Sequence, residues 1–147
     1  MYQRILVPLD GSISSEAVLP HAERLARELN SEIVLIKVRV TPAPQFEIRV
    51  SPLAPESKRA RQARADDKFY IKSVCNRLED EGLRATYLLR DGPVAETIIE
   101  AAEVMQADLI AMSTHGKSGA KLLLLGSVAY QVVRNSPKPT LVIRSSA

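Results

Sequence analysis

Two short and almost uninterrupted apolar runs, Ile5-Leu6-Val7-Pro8-Leu9 and Ile33-Val34-Leu35-Ile36-Lys37-Val38, enclose a segment whose apolar residues recur at helical spacing. A strand with so little polar alternation is buried on both faces, which happens in a parallel sheet covered by helices on each side. Between the runs, Ala17, Val18, Ala22, Leu25, Ala26 and Leu29 mark the inner face of a helix, with Ser14 or Ser15 expected as its N-cap and Glu16 in its first turn. Strand, helix and strand joined in this way require a right-handed crossover. The chain therefore begins as a βαβ unit.

The alternation continues after one interruption. From about residue 40 to 56 the prolines Pro42, Pro44, Pro52 and Pro55 break any period, so an exposed loop or lid is expected there. A long polar helix is predicted from Glu56 to Glu81, with Ala60, Ala63, Tyr70, Ile71, Val74, Cys75 and Leu78 inward and Gly82 stopping it. Ala85 to Leu89 is a third strand, Pro93 to Val104 a third helix, Leu109 to Met112 a fourth strand, Ser127 to Arg134 a fourth helix, and Pro139 to Ile143 a fifth strand. Five strands and four helices imply one domain over residues 1–147, an open five-stranded parallel, doubly wound α/β sheet with helices on both faces. Such sheets bind ligands beyond the carboxyl ends of the strands where strand order reverses, and Asp10 and Ser113 both stand at such ends.

Composition removes several function classes. With 147 residues, 46% of them hydrophobic and 25% charged, the chain is expected to fold alone around one core. A net charge of +3, with signs mixed along the sequence, does not point to nucleic acid. The single cysteine, Cys75, cannot form an internal disulfide. The apolar run after Met1 is too short for a secretory signal, and no stretch is long enough to span a bilayer. A cytoplasmic protein without nucleic-acid or membrane partners is the expectation.

The stretch STHGKSGAKLLLLGS, residues 113–127, carries the chemistry. Its Gly116-Lys117-Ser118 triplet matches the end of a P-loop. However, that loop needs a further glycine five positions earlier, where Ala111 stands inside a predicted strand. Gly116 instead allows close backbone approach, and Gly126-Ser127 lies where a helix begins, with Ser127 placed to cap it. From spacing alone two readings stand open: an anion site on free helix N–H groups, or a plain loop followed by a cap.

These residues, together with ILVPLDGS at 5–12, GPVAETI at 92–98, ADLIAMSTHGKSG at 107–119 and PTLVIR at 139–144, resemble the universal stress protein family along essentially the whole chain. ATP-binding members carry Gly, two residues, Gly, nine residues, then Gly-Ser or Gly-Thr. Here Gly116, nine residues and Gly126-Ser127 complete the second half, while Ser113 replaces the first glycine. The resemblance implies a Rossmann-like sheet of the adenine nucleotide alpha hydrolase type. It implies adenine and ribose held by Pro8, Leu9, Asp10 and Val38, with Met112, Ser113, His115, Gly116, Lys117, Gly126, Ser127 and Val128 along the ribose and phosphates. The cofactor implied is ATP, with Mg²⁺ riding mainly on its phosphates. The function implied is a nucleotide-dependent stress-response sensor or interaction module, with at most slow ATP hydrolysis or self-phosphorylation. It further implies a homodimer through the C-terminal strand Pro139 to Ile143. A dimeric scaffold of the same fold that holds no ATP, or a slow ATPase, is the alternative.

Each of these residues also has a plainer reading. Asp10 is placed for an Asx-turn, Ser113 for a strand end, and Lys117 for solvent. His115 has no neighbouring carboxylate in sequence and reads as a hydrogen-bonding loop residue, not as an acid or base. His21, His115 and Cys75 match no zinc spacing, and Cys75 reads as a core residue. The basic run Lys58, Arg59, Arg61 and Arg64 reads as a solvated helix face, or as a border of the phosphate site.

Overall fold

The computed structural model describes residues 1–40, 57–115 and 126–145, the side chain at 115 excepted. Gly116, Lys117 and nearly all of the proline-rich loop therefore lie outside the described residues. Five parallel strands, β1 (Arg4–Pro8), β2 (Glu32–Arg39), β3 (Arg84–Asp91), β4 (Leu109–His115) and β5 (Thr140–Ser145), form one sheet in the order β3-β2-β1-β4-β5. Strand order reverses between β1 and β4, so their carboxyl ends open the crevice expected of a doubly wound sheet.

The period of two along each strand divides the core. Ile5, Val7, Ile33, Leu35, Leu109 and Ala111 face α1 (Leu19–Leu29) and α2 (Lys58–Asp80). Leu6, Val34, Ile36, Ile110 and Met112 face α3 (Val94–Val104) and α4 (Ser127–Asn135). Because both faces are covered, the apolar runs of the three inner strands, β2, β1 and β4, carry little polar alternation, and Leu6, Val34 and Ile110 have no exposed surface.

Several boundaries differ from the sequence expectation for local reasons. The chain enters α1 through a 3-10 turn, Ser15–Val18, and Pro20 sits in the first turn of the α-helix proper, where a missing N–H costs nothing. Neither Ser14 nor Ser15 caps that helix, and Leu29 is substantially exposed on its outer side. α2 begins behind Ser57, whose Oγ accepts the Ala60 N–H at 3.1 Å. β3 and β4 run past their apolar runs to Asp91 and His115, because ladder pairing with β2 and β5 continues where the side chains turn polar. Gly126 is the N-cap of α4, which makes Ser127 its first helical residue and corrects the expectation of a serine cap. No helix among the described residues is long and apolar enough to cross a membrane.

Candidate functional site

At the carboxyl ends of β1, β2 and β4 the crevice opens into a cavity of about 300 Å³. Ile36, Val38, Val40 and Met112 line it from the strand ends, and Val94 and Ile98 from the first turns of α3. Pro8, Leu9, Asp10, Ser14 and Ser15 form the side of the β1–α1 turn, and Gly126, Ser127, Val128 and Ala129 form the opposite side at the start of α4. The cavity thus has an apolar wall, a turn bearing a carboxylate, and a helix N-terminus.

The turn is tightly specified. Asp10 Oδ1 accepts the Ser12 N–H at 2.8 Å, Ser12 Oγ accepts the Ser15 N–H at 3.0 Å, and the Asp10 N–H donates to Ser15 Oγ at 3.2 Å. Gly11, at φ +91, supplies a backbone conformation that side-chain-bearing residues rarely adopt. Asp10 therefore does build an Asx-turn, at the mouth of the cavity. Below it the Tyr70 hydroxyl is buried beside Glu16 and Ser15 with no well-formed hydrogen bond among the described residues. Burial first, and then the negative charges of Glu16 and Asp10, push its pKa further above the phenol range, which keeps it neutral.

Two consecutive residues of β4 join this turn to the opposite wall. Ser113 Oγ donates to the Ser15 carbonyl oxygen at 3.0 Å on the α1 face of the sheet. Thr114 Oγ1 accepts the Gly126 N–H at 2.6 Å on the α4 face. At the α4 N-terminus the first intrahelical bond runs from the Tyr130 N–H to the Gly126 carbonyl at 2.8 Å. No side chain among the described residues caps this end, and the N–H groups of Ser127, Val128 and Ala129 precede the helix's own ladder. The positive end of the helix dipole and these donors favour an anion there.

Nine residues singled out from sequence, Pro8, Leu9, Asp10, Val38, Met112, Ser113, Gly126, Ser127 and Val128, line this one cavity. Gly116 and Lys117, and the side chain of His115, lie outside the described residues. Sequence reading missed Ile36, Val94, Ile98 and Thr114. The helical pair Val94 and Ile98, four apart just after Gly92-Pro93, was the available signal for the α3 wall, but it is the same signal that marks ordinary core. Elsewhere, Cys75 is buried beside Glu79, and burial first and that carboxylate second push its thiol up to about 11, an unreactive packing residue. Lys58, Arg59 and Arg61 are exposed, and Arg64 pairs with Asp91 at 3.5 Å. Among the described residues no group of three or more His, Cys, Asp or Glu side chains stands together to hold a metal ion.

A doubly wound parallel sheet with a mostly apolar cavity at its switch point, and a helix N-terminus on one side of it, defines a Rossmann-like α/β domain. The family model of the universal stress proteins matches residues 1–144, and the chain belongs to that family. It is 33% identical to the universal stress protein MJ0531 of Methanocaldococcus jannaschii over 98% of its length and 83% of the relative's. Its fold matches the solved structure of MJ0577, from the same organism, at a TM-score of 0.80 and 31% identity, covering 99% of this chain and 98% of that one. A universal stress protein solved in complex with cAMP shares the fold at a TM-score of 0.65 and 22% identity, covering 99% and 98% of the two chains.

Proposed function

We propose that this protein binds an adenine nucleotide, ATP in the first place, in the cavity between β1, β2 and β4, and works as a nucleotide-dependent sensor or interaction module of the stress response. The observation that carries the reading is the division of the cavity: Ile36, Val38, Val94, Ile98 and Met112 offer a dry wall to a base, while Gly126, Ser127 and Val128 at the N-terminus of α4 line the side where phosphates would lie. A volume of about 300 Å³ suits a small organic ligand. In this arrangement Pro8, Leu9, Asp10 and Val38 hold base and ribose. Met112, Ser113, Gly126, Ser127 and Val128 line the ribose and phosphate side, joined by His115, Gly116 and Lys117 from the adjoining segment. Magnesium would reach the site on the phosphates. The complex of a family member with cAMP supports an adenine-bearing ligand.

A signalling role fits the site better than rapid turnover. Among the described residues that line the cavity Asp10 is the one carboxylate, and it is engaged in the Asx-turn, so it is poorly placed to take a proton from an attacking water. Calorimetric titration with Mg-ATP tests the reading: binding is expected, weakened at least about tenfold in Gly126→Val, where a branched side chain crowds the helix N-terminus. Absence of binding would favour the second reading, a dimeric scaffold without nucleotide. Its structural support is the edge position of β5, whose Leu141, Val142 and Ile143 remain only partly buried. Pairing of β5 with its copy across a two-fold axis is part of both readings.

A further inference from the structure

We propose that Thr114 is the positioning residue of the anion end of the cavity, holding the first turn of α4 so that the Ser127 and Val128 N–H groups face a phosphate. This rests on the nucleotide reading above. Thr114 is 5% exposed and its Oγ1 accepts the Gly126 N–H at 2.6 Å, across twelve positions of sequence. The bond fastens the start of α4 directly to β4. It also satisfies the N-cap N–H, so that among the described residues the N–H groups of Ser127 and Val128, followed by that of Ala129, come next as donors for a ligand.

Gly126 supports the same assignment. Its backbone, φ −56 and ψ 156, is open to any residue, so conformational freedom is not why a glycine stands there. A Cβ at Gly126 would lie 3.1 Å from Thr114 Oγ1, tighter than an ordinary contact. The glycine is what lets the amide and the hydroxyl come together, and the two residues act as a matched pair. Ser113, one position earlier, points to the other face of the sheet and ties the Asp10 turn instead. The neighbours thus divide the labour: Ser113 bears on base and ribose through the turn, and Thr114 on the phosphates.

The test compares Mg-ATP and adenosine by calorimetry on the wild type, Thr114→Val and Thr114→Ser. Thr114→Val removes the acceptor at nearly constant shape, and the ratio of ATP to adenosine affinity is expected to fall about tenfold, with Thr114→Ser restoring it. An unchanged ratio in Thr114→Val, or an equal loss for both ligands, would overturn the assignment. If Thr114→Val does not fold, Gly126→Ala, which disturbs the same contact from the other side, is expected to lower the same ratio, and an unaltered ratio there counts against Thr114. A wild type that binds neither compound would sink the nucleotide reading instead. Inorganic tripolyphosphate followed at the Ser127 and Val128 amides by NMR then decides on Thr114. Shifts in the wild type that vanish without the hydroxyl support it, whereas no shifts, or the same shifts in both, overturn it.

Discussion

Ser113 and Asp108 show how single side chains hold this sheet at its two ends. Ser113 Oγ donates to the Ser15 carbonyl at 3.0 Å, so the hydroxyl that stands where the family's nucleotide-binding pattern has glycine anchors the turn that carries Asp10. Ser113→Gly gives up that bond and adds chain entropy to a strand, and a loss of about 1–2 kcal/mol in urea unfolding is expected. Unchanged stability would mean that the hydroxyl is idle. At the opposite end, Asp108 accepts the Gln3 and Arg4 N–H groups at 2.8 and 3.0 Å, binding the start of β1 to the turn before β4. Burial works to raise its pKa, but the backbone donors outweigh it and hold the carboxyl below its usual value. A lowered folded pKa means stability that is complete above the unfolded value and lost as pH falls through the folded one. Asp108→Asn should therefore cost about 1 kcal/mol at pH 7 and progressively less in acid. A deficit that stays constant down to pH 2 would contradict this account.

At the scale of elements, the βα alternation was legible because each buried strand is an apolar run and each helix an apolar stripe, signals that survive without tertiary knowledge. What could not be read were the features that depend on partners. β4 continues through Ser113 and Thr114 because β5 pairs with it, and α1 gives way to a 3-10 turn because Pro20 and the Asp10–Ser15 hydrogen bonds decide where the helix begins. Within the site, the β1 turn and the glycine pattern were visible as sequence, whereas Ile98 and Thr114 became functional candidates only when α3 and α4 were seen to close the cavity. One element contradicts its own dipole: the first turn of α2 carries Lys58, Arg59 and Arg61 and no acid at its positive end. Arg59→Glu should raise stability by a few tenths of a kcal/mol in thermal unfolding at low salt. A fall would show that the basic residues make compensating contacts.

For the molecule as a whole, the proposal is a two-fold assembly whose subunits each hold a nucleotide, and it draws on the edge position of β5 and the cavity at the switch point. Leu141, Val142 and Ile143 lie on an edge strand and are only partly buried among the described residues, an arrangement that suits a second strand. Val142→Pro removes a ladder donor and should shift the protein towards monomer in light scattering, whereas an unchanged mass would place any interface elsewhere. The central claim is the ligand, and it is tested most directly on the purified protein. The protein is denatured, any released small molecule is identified by mass spectrometry, and the emptied, refolded protein is titrated with Mg-ATP by calorimetry. The account predicts a released adenine nucleotide or a saturable heat of binding near one per chain. No adenine compound in the supernatant and no heat on titration would contradict it.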